Sequence, residues 1–163
     1  GPDMDGYDDI PAERMRLNRA KRQITNLVKQ FSPSTQFNIV KFSAKGAAWK
    51  SGKIVAASAG SKKSANKFVE SLSPEHHTMA YLGLEEAFKC KDADTIYFIS
   101  DGAPTSADGQ PLKQGQMNDL VDRILQLNKL RRVQINSIGM KGAYPYFMKR
   151  LSNATGGKYR QVD

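Results

Sequence analysis

A single apolar run constrains this 163-residue chain more than any other feature: Thr95-Ile96-Tyr97-Phe98-Ile99-Ser100, which breaks at once into Asp101-Gly102. A short run without polar alternation, closed by a turn signal, reads as a central parallel strand covered on both faces. Parallel neighbours cannot be joined by tight hairpins. Each needs a crossover of a dozen residues or more, usually a helix. The sequence around the run supplies such crossovers.

From Ala12 to Phe31, Leu17, Ala20, Ile24, Leu27, Val28 and Phe31 recur at steps of three and four, which predicts an amphipathic helix. Pro11 suits its first turn, and Ser32-Pro33 ends it. Gln36 to Phe42 reads as a strand, with Phe37, Ile39 and Lys41 on one face and Asn38, Val40 and Phe42 on the other. Ala47-Ala48-Trp49 suggests a short edge strand. Helices are expected from about Ser61 to Leu72, from Met79 to Lys89, from about Gln114 to Asn128 and from Pro145 to Ala154. Val133 to Ile138 and Lys158 to Val162 read as strands, and Gly156-Gly157 as the cap between the last helix and the last strand. Strands alternating with helices imply an open, mostly parallel sheet flanked by helices, an α/β Rossmann-like fold in three layers. Residues 1–11 show no periodicity and read as an acidic N-terminal loop ahead of one domain, 12–163.

The charge is distributed in blocks. Residues 1–13 hold five acids and no base, residues 14–69 hold thirteen Lys and Arg and no acid, and residues 70–163 are nearly balanced. The net charge of +9 therefore sits on one stretch. Such a field speeds the approach of an anionic partner, nucleic acid or another polyanion included, although a solvated basic surface reads the same way. Hydrophobic residues make up 39%, an ordinary globular content, and no apolar run is long enough to cross a membrane. Gly1-Pro2 has the look of a cleaved-tag remnant, so the compartment stays open. Cys90 is the only cysteine, excludes an internal disulfide, and is expected at a helix end facing the core.

In open parallel sheets, ligands gather at the carboxyl ends of the strands. Two polar residues fall there, Asp101 just after its strand and Thr78 just before its helix. A carboxylate at a strand end with a glycine beside it suits a hard divalent cation, with a hydroxyl completing the coordination; it equally suits a cap on the following loop. Asp3, Asp5, Asp8 and Asp9 echo a calcium loop, but Ala12 stands where its twelfth-position Glu belongs. His76 and His77 are adjacent, splay apart, and have no third ligand nearby.

Four segments, in order, resemble the von Willebrand factor type A family: RAKRQITNLVKQFSPSTQFNIVKFS, DTIYFISDGAPT, VQINSIGM and FMKRLSNATGGKY. The similarity runs over almost the whole chain. It implies a protein-binding or adhesion module, not an enzyme, with a metal-ion-dependent adhesion site built from three loops. By that resemblance Thr78 and Asp101 are metal residues, and HHT stands where Gly-Gly-Thr is more usual. The ion would be magnesium or manganese, or calcium, with an open position for an acidic side chain of a protein ligand. The family's Asp-x-Ser-x-Ser motif and the strand before it are absent from this sequence. The expectation is therefore a sheet without its first central strand, completed by another chain, a ligand strand or a piece of a longer parent.

A magnesium-dependent phosphoryl-transfer enzyme of Rossmann-like topology is the competing class. Against it, the chain holds no Gly-x-x-x-x-Gly-Lys or Gly-x-Gly-x-x-Gly phosphate loop and no evident nucleophile–base pair. Nucleic-acid or polyanion binding through residues 14–69 is the third, and that stretch lacks interleaved exposed aromatics.

Overall fold

Three strands run side by side in the carboxyl-terminal half: β5 (Thr95–Ser100), β6 (Gln134–Met140) and β7 (Tyr159–Val162). All pairings among them are parallel, from Thr95 opposite Gln134 to Ser100 opposite Gly139, and from Ser137 opposite Tyr159 to Met140 opposite Val162. The structure, a computed structural model, describes residues 12–41, 47–73, 80–100, 104–106, 108–140 and 145–162. Helix α4 (Gln114–Asn128) crosses from β5 to β6, and α5 (Pro145–Ala154) crosses from β6 to β7. With α3 (Ala80–Phe88) they cover one face of the sheet. Leu84 and Phe88 of α3, Val121 and Ile124 of α4, and Phe147 and Leu151 of α5 close over Phe98 and Ile135. Burying one such side chain contributes about 1.5–3 kcal/mol, so this cluster dominates the fold's stability.

Polar groups fix the ends of these crossovers. Buried Asn128, the last residue of α4, donates to the Val133 carbonyl at 2.8 Å and accepts from the Val133 amide at 2.7 Å. After α5, Gly156 takes φ +77, and the Gly157 amide bonds the Ser152 carbonyl at 2.8 Å. That is the left-handed cap expected from the glycine pair. Gly157 is needed for a second reason: a Cβ there would lie 1.9 Å from the Ile135 carbonyl oxygen.

The amino-terminal half is α1 (Ala12–Gln30), an antiparallel hairpin, and α2 (Ala59–Glu70). The hairpin pairs β1 (Gln36–Phe37) with β4 (Val55–Ala56), and β2 (Val40–Lys41) with β3 (Ala47–Ala48). The strand expected over 36–42 is thus interrupted. At the break the Asn38 side chain takes over the ladder, donating to the Lys50 carbonyl at 2.5 Å and accepting from the Lys50 amide at 2.9 Å. Phe37 and Ile39 still point into the core, as their alternation predicts. Helix α2 begins before the expected Ser61, because the Ser58 hydroxyl caps it by accepting from the Ser61 amide.

Strand β5 departs from expectation in its burial. Phe98 is only 2% exposed, whereas Tyr97 on the opposite face is 45% exposed. Among the described strands β5 pairs with β6 alone. Helix α1 reaches β6 on that face, where Ile138 is buried, and leaves Tyr97 open. Helices thus flank the parallel sheet on both sides, a Rossmann-like α/β arrangement.

Candidate functional site

The strand register sets where a site belongs. With Ser100 opposite Gly139 and Met140 opposite Val162, the carboxyl ends of β5, β6 and β7 fall along one edge of the sheet. Helix α3 runs toward that edge. Its far end is tied to the amino edge by Arg131, which precedes β6 and donates to the carbonyls of Phe88 at 2.6 Å, Cys90 at 2.8 Å and Ala93 at 3.2 Å. Nine helical residues then rise about 13 Å, so the Ala80 end of α3 is directed to the side where β5 finishes.

The loop beyond β5 folds into a tight turn on the same rim. Thr105 bridges Pro111, the Leu112 amide bonds the Pro104 carbonyl at 2.9 Å, and Ser106 bonds the Asp108 carboxylate. Gly109, at φ +84, makes the reversal. The Lys113 amide donates to the Gln116 side chain at 2.8 Å, satisfying one orphan group at the start of α4. The Tyr146 hydroxyl, in the first turn of α5, donates to Asn118 of α4 at 2.7 Å and accepts from Gln114 at 3.2 Å. These bonds join the beginnings of two crossover helices and stiffen the rim. The Asp108-Gly109 pair is the sequence signal for this reversal.

Thr78 and Asp101, the two residues expected to hold a metal, lie outside the described residues, as do His76, His77, Asp3, Asp5, Asp8 and Asp9. Their described neighbours are Ser100, 6% exposed at the end of β5, and Ala80, which opens α3. Among the described residues no group of three His, Cys, Asp or Glu side chains is arranged to hold a metal. Cys90 is buried at the end of α3, as expected; its sulfur accepts from Asn38 at 3.4 Å and faces the Lys53 carbonyl at 3.7 Å. It links the two halves of the chain. No described helix is long and apolar enough to cross a membrane.

Order, register and layering define the class of protein: an α/β domain with its polar rim at the carboxyl edge of a parallel sheet. The profile of the von Willebrand factor type A domain family matches residues 11–161. A solved structure, the von Willebrand factor type A protein from Catenulispora acidiphila, superposes with a TM-score of 0.74 at 16% identity over 90% of this chain. The chain spans 34% of that protein's length. No curated protein matches significantly. The chain belongs to the von Willebrand factor type A family, whose domains generally mediate protein–protein interaction.

Proposed function

We propose that this chain is a non-enzymatic, adhesion-type binding module that engages a protein ligand at the carboxyl rim of its sheet. In this reading Thr78 and Asp101 contribute oxygen donors to a divalent-metal site. The observation that supports it is the alignment of the β5, β6 and β7 carboxyl ends with a helix directed to the same edge, in a chain whose family is known. Asp101 follows β5 directly, and Thr78 precedes the described start of α3 by two residues. A carboxylate and a hydroxyl are the hard oxygen donors that magnesium and manganese take, and magnesium is commonly held by one or two carboxylates with waters in the remaining positions. The donor chemistry therefore fits. When bound, the ion offers an open position to an acidic side chain of the ligand.

The test is a thermal melt of the full chain in magnesium, in manganese and in chelator, repeated with Asp101→Ala. Metal binding to the folded state alone raises the melting temperature by mass action. The expected rise is present in the parent sequence and lost in the variant. An unchanged melt in both metals removes the ion from the reading, and turnover of a phosphate ester in magnesium would replace binding with phosphoryl transfer. The exposure of Tyr97 on β5 favours an added element of the same reading, a donated strand that completes the sheet beside Thr95–Ser100. Slower amide exchange along that segment when a strand-donating chain is added is the expected sign.

A further inference from the structure

The basic stretch folds into one surface. Helices α1 and α2 lie side by side and antiparallel, each capping the other: Lys21 donates to the Glu70 carbonyl at 3.1 Å, and Lys62 donates to the carbonyls of Lys29 at 3.2 Å and Phe31 at 2.6 Å. These two lysines satisfy orphan carbonyls at the ends of the partner helix, which is a structural use of their charge. Both helices bury their inner faces in one core, with Val28 from α1 and Ala65 and Val69 from α2. Their outer faces therefore point the same way.

Four cations stand on that outer surface. Arg22 and Lys29 on α1, and Lys63 and Lys67 on α2, are all exposed, and none forms an ion pair with a described residue. Seven residues separate Arg22 from Lys29, about 10 Å along the helix, and packed helices lie about 8–10 Å apart. The antiparallel register sets Lys29 near the level of Lys63 and Arg22 near that of Lys67. The result is a four-cornered patch of positive charge, about 10 Å long on α1, about 6 Å long on α2 and about 8–10 Å across. No acid occurs between residues 14 and 69; Glu70, the last residue of α2, is the first.

We propose that this two-helix face binds an Asp/Glu-rich segment of a partner protein. An extended chain rises about 3.3 Å per residue, so carboxylates two or three positions apart match the spacing of the cations along and across the patch. Asn26 on α1 and Ser64 on α2, both exposed, lie between the cations along their helices, short side chains that let a backbone approach. Among the described residues no exposed aromatic stands there to stack a base, and the one exposed large apolar side chain of the two helices, Met15, lies two turns of α1 before Arg22. The proposal rests on the protein-interaction reading but uses a different surface from the carboxyl rim, and it needs no metal.

Fluorescence anisotropy on the full chain with a labelled oligo-glutamate peptide tests it, with oligo-glutamine as the neutral probe. The peptide binds in chelator and binds equally to Asp101→Ala, which separates this contact from the rim. Reversing Arg22, Lys63 and Lys67 together to Glu weakens binding about tenfold or more, whereas reversing Lys91, Lys129 and Lys158, exposed in the other half, changes it by less than about twofold. Far-UV circular dichroism and the melting temperature establish that both variants fold; if the reversed variant does not, the same three positions changed to Gln give the readout. Equal weakening by the two triple variants would reduce the effect to net charge and overturn the proposal. So would the absence of binding to oligo-glutamate at low salt, or tighter binding to duplex DNA or to phosphatidylserine vesicles at the same ionic strength.

Discussion

The two halves of this domain close their sheets by different means. In the carboxyl-terminal half, β5, β6 and β7 pair through their own backbones over a continuous register, and main chain approaches main chain so closely that Gly157 has no room for a methyl group. In the amino-terminal half the strands are two-residue pieces, and a side chain, that of Asn38, stands in for the backbone between them. The difference follows from what each half can bury. Among the described residues twelve buried side chains form the carboxyl-terminal core and six the amino-terminal one, so the first is set by apolar packing and the second leans on polar bonds and lysine caps. Bonds of that kind each contribute only about 0.5–1.5 kcal/mol, since water competes for the same groups.

The strongest way to break this comparison is Gly157→Ala. The added Cβ meets the Ile135 carbonyl, a backbone atom of β6 that cannot swing aside. Either β6 and β7 separate or the cap after α5 opens, and both expose core. The expected loss is about 3 kcal/mol or more by urea denaturation, at the upper end of what overpacking costs. A loss below about 1 kcal/mol would mean that this half yields as easily as the other, and the contrast would fall.

Much of the carboxyl-terminal half can be read from the chain itself. Helices 114–128 and 145–154 begin and end where periodicity and capping residues place them, because long stripes with clear stops leave few alternatives. The amino-terminal half resists for physical reasons. Val55–Ala56 is too short for any period to show. Nothing local distinguishes Lys21 and Lys62 from solvated lysines, since their acceptors are carbonyls 31 to 49 residues away. An apolar run also reads alike whether one face is covered or two, which is why Tyr97 was expected inside. For the site, the alternation of strands and helices located the rim. Asp101 and Thr78 were singled out by following a strand and preceding a helix, which left a metal ligand and a loop cap equally open; family resemblance favoured the metal, and both residues lie outside the described ones.

Asn38→Ala probes the polar half at a smaller scale. It removes the donor to the Lys50 carbonyl and the acceptor for the amides of Ile39 and Lys50. Leaving partly buried backbone groups without partners costs about 1–2 kcal/mol. The loss should be accompanied by faster amide exchange at Lys50, with β5 and β6 unaffected. If protection at β5 fell equally, the halves would unfold as one unit and the distinction would be architectural only.

The smallest effect concerns charge, where the halves also differ. The exposed bases Lys63 and Lys67 of the amino-terminal half form no ion pair with a described residue, although Glu70 lies one turn beyond Lys67, whereas Lys89 pairs with Glu86 at 2.8 Å in the carboxyl-terminal half. A hydrogen bond from Lys89 to Glu86, and then the attraction of that carboxylate, raise the lysine above its ordinary value, with Glu85 adding a little. A raised folded-state value means the pair's contribution is complete below the unfolded lysine value, near 10.4, and fades as pH climbs through the higher folded one. Because Lys89 is exposed to water, the effect belongs in the titration rather than in stability. Following the Lys89 side chain by NMR should give a midpoint above that of a free lysine, falling back in Glu86→Gln and in high salt. An identical midpoint in the variant would show that the pair does not persist in solution, and that the balanced half handles its charges no differently from the basic one.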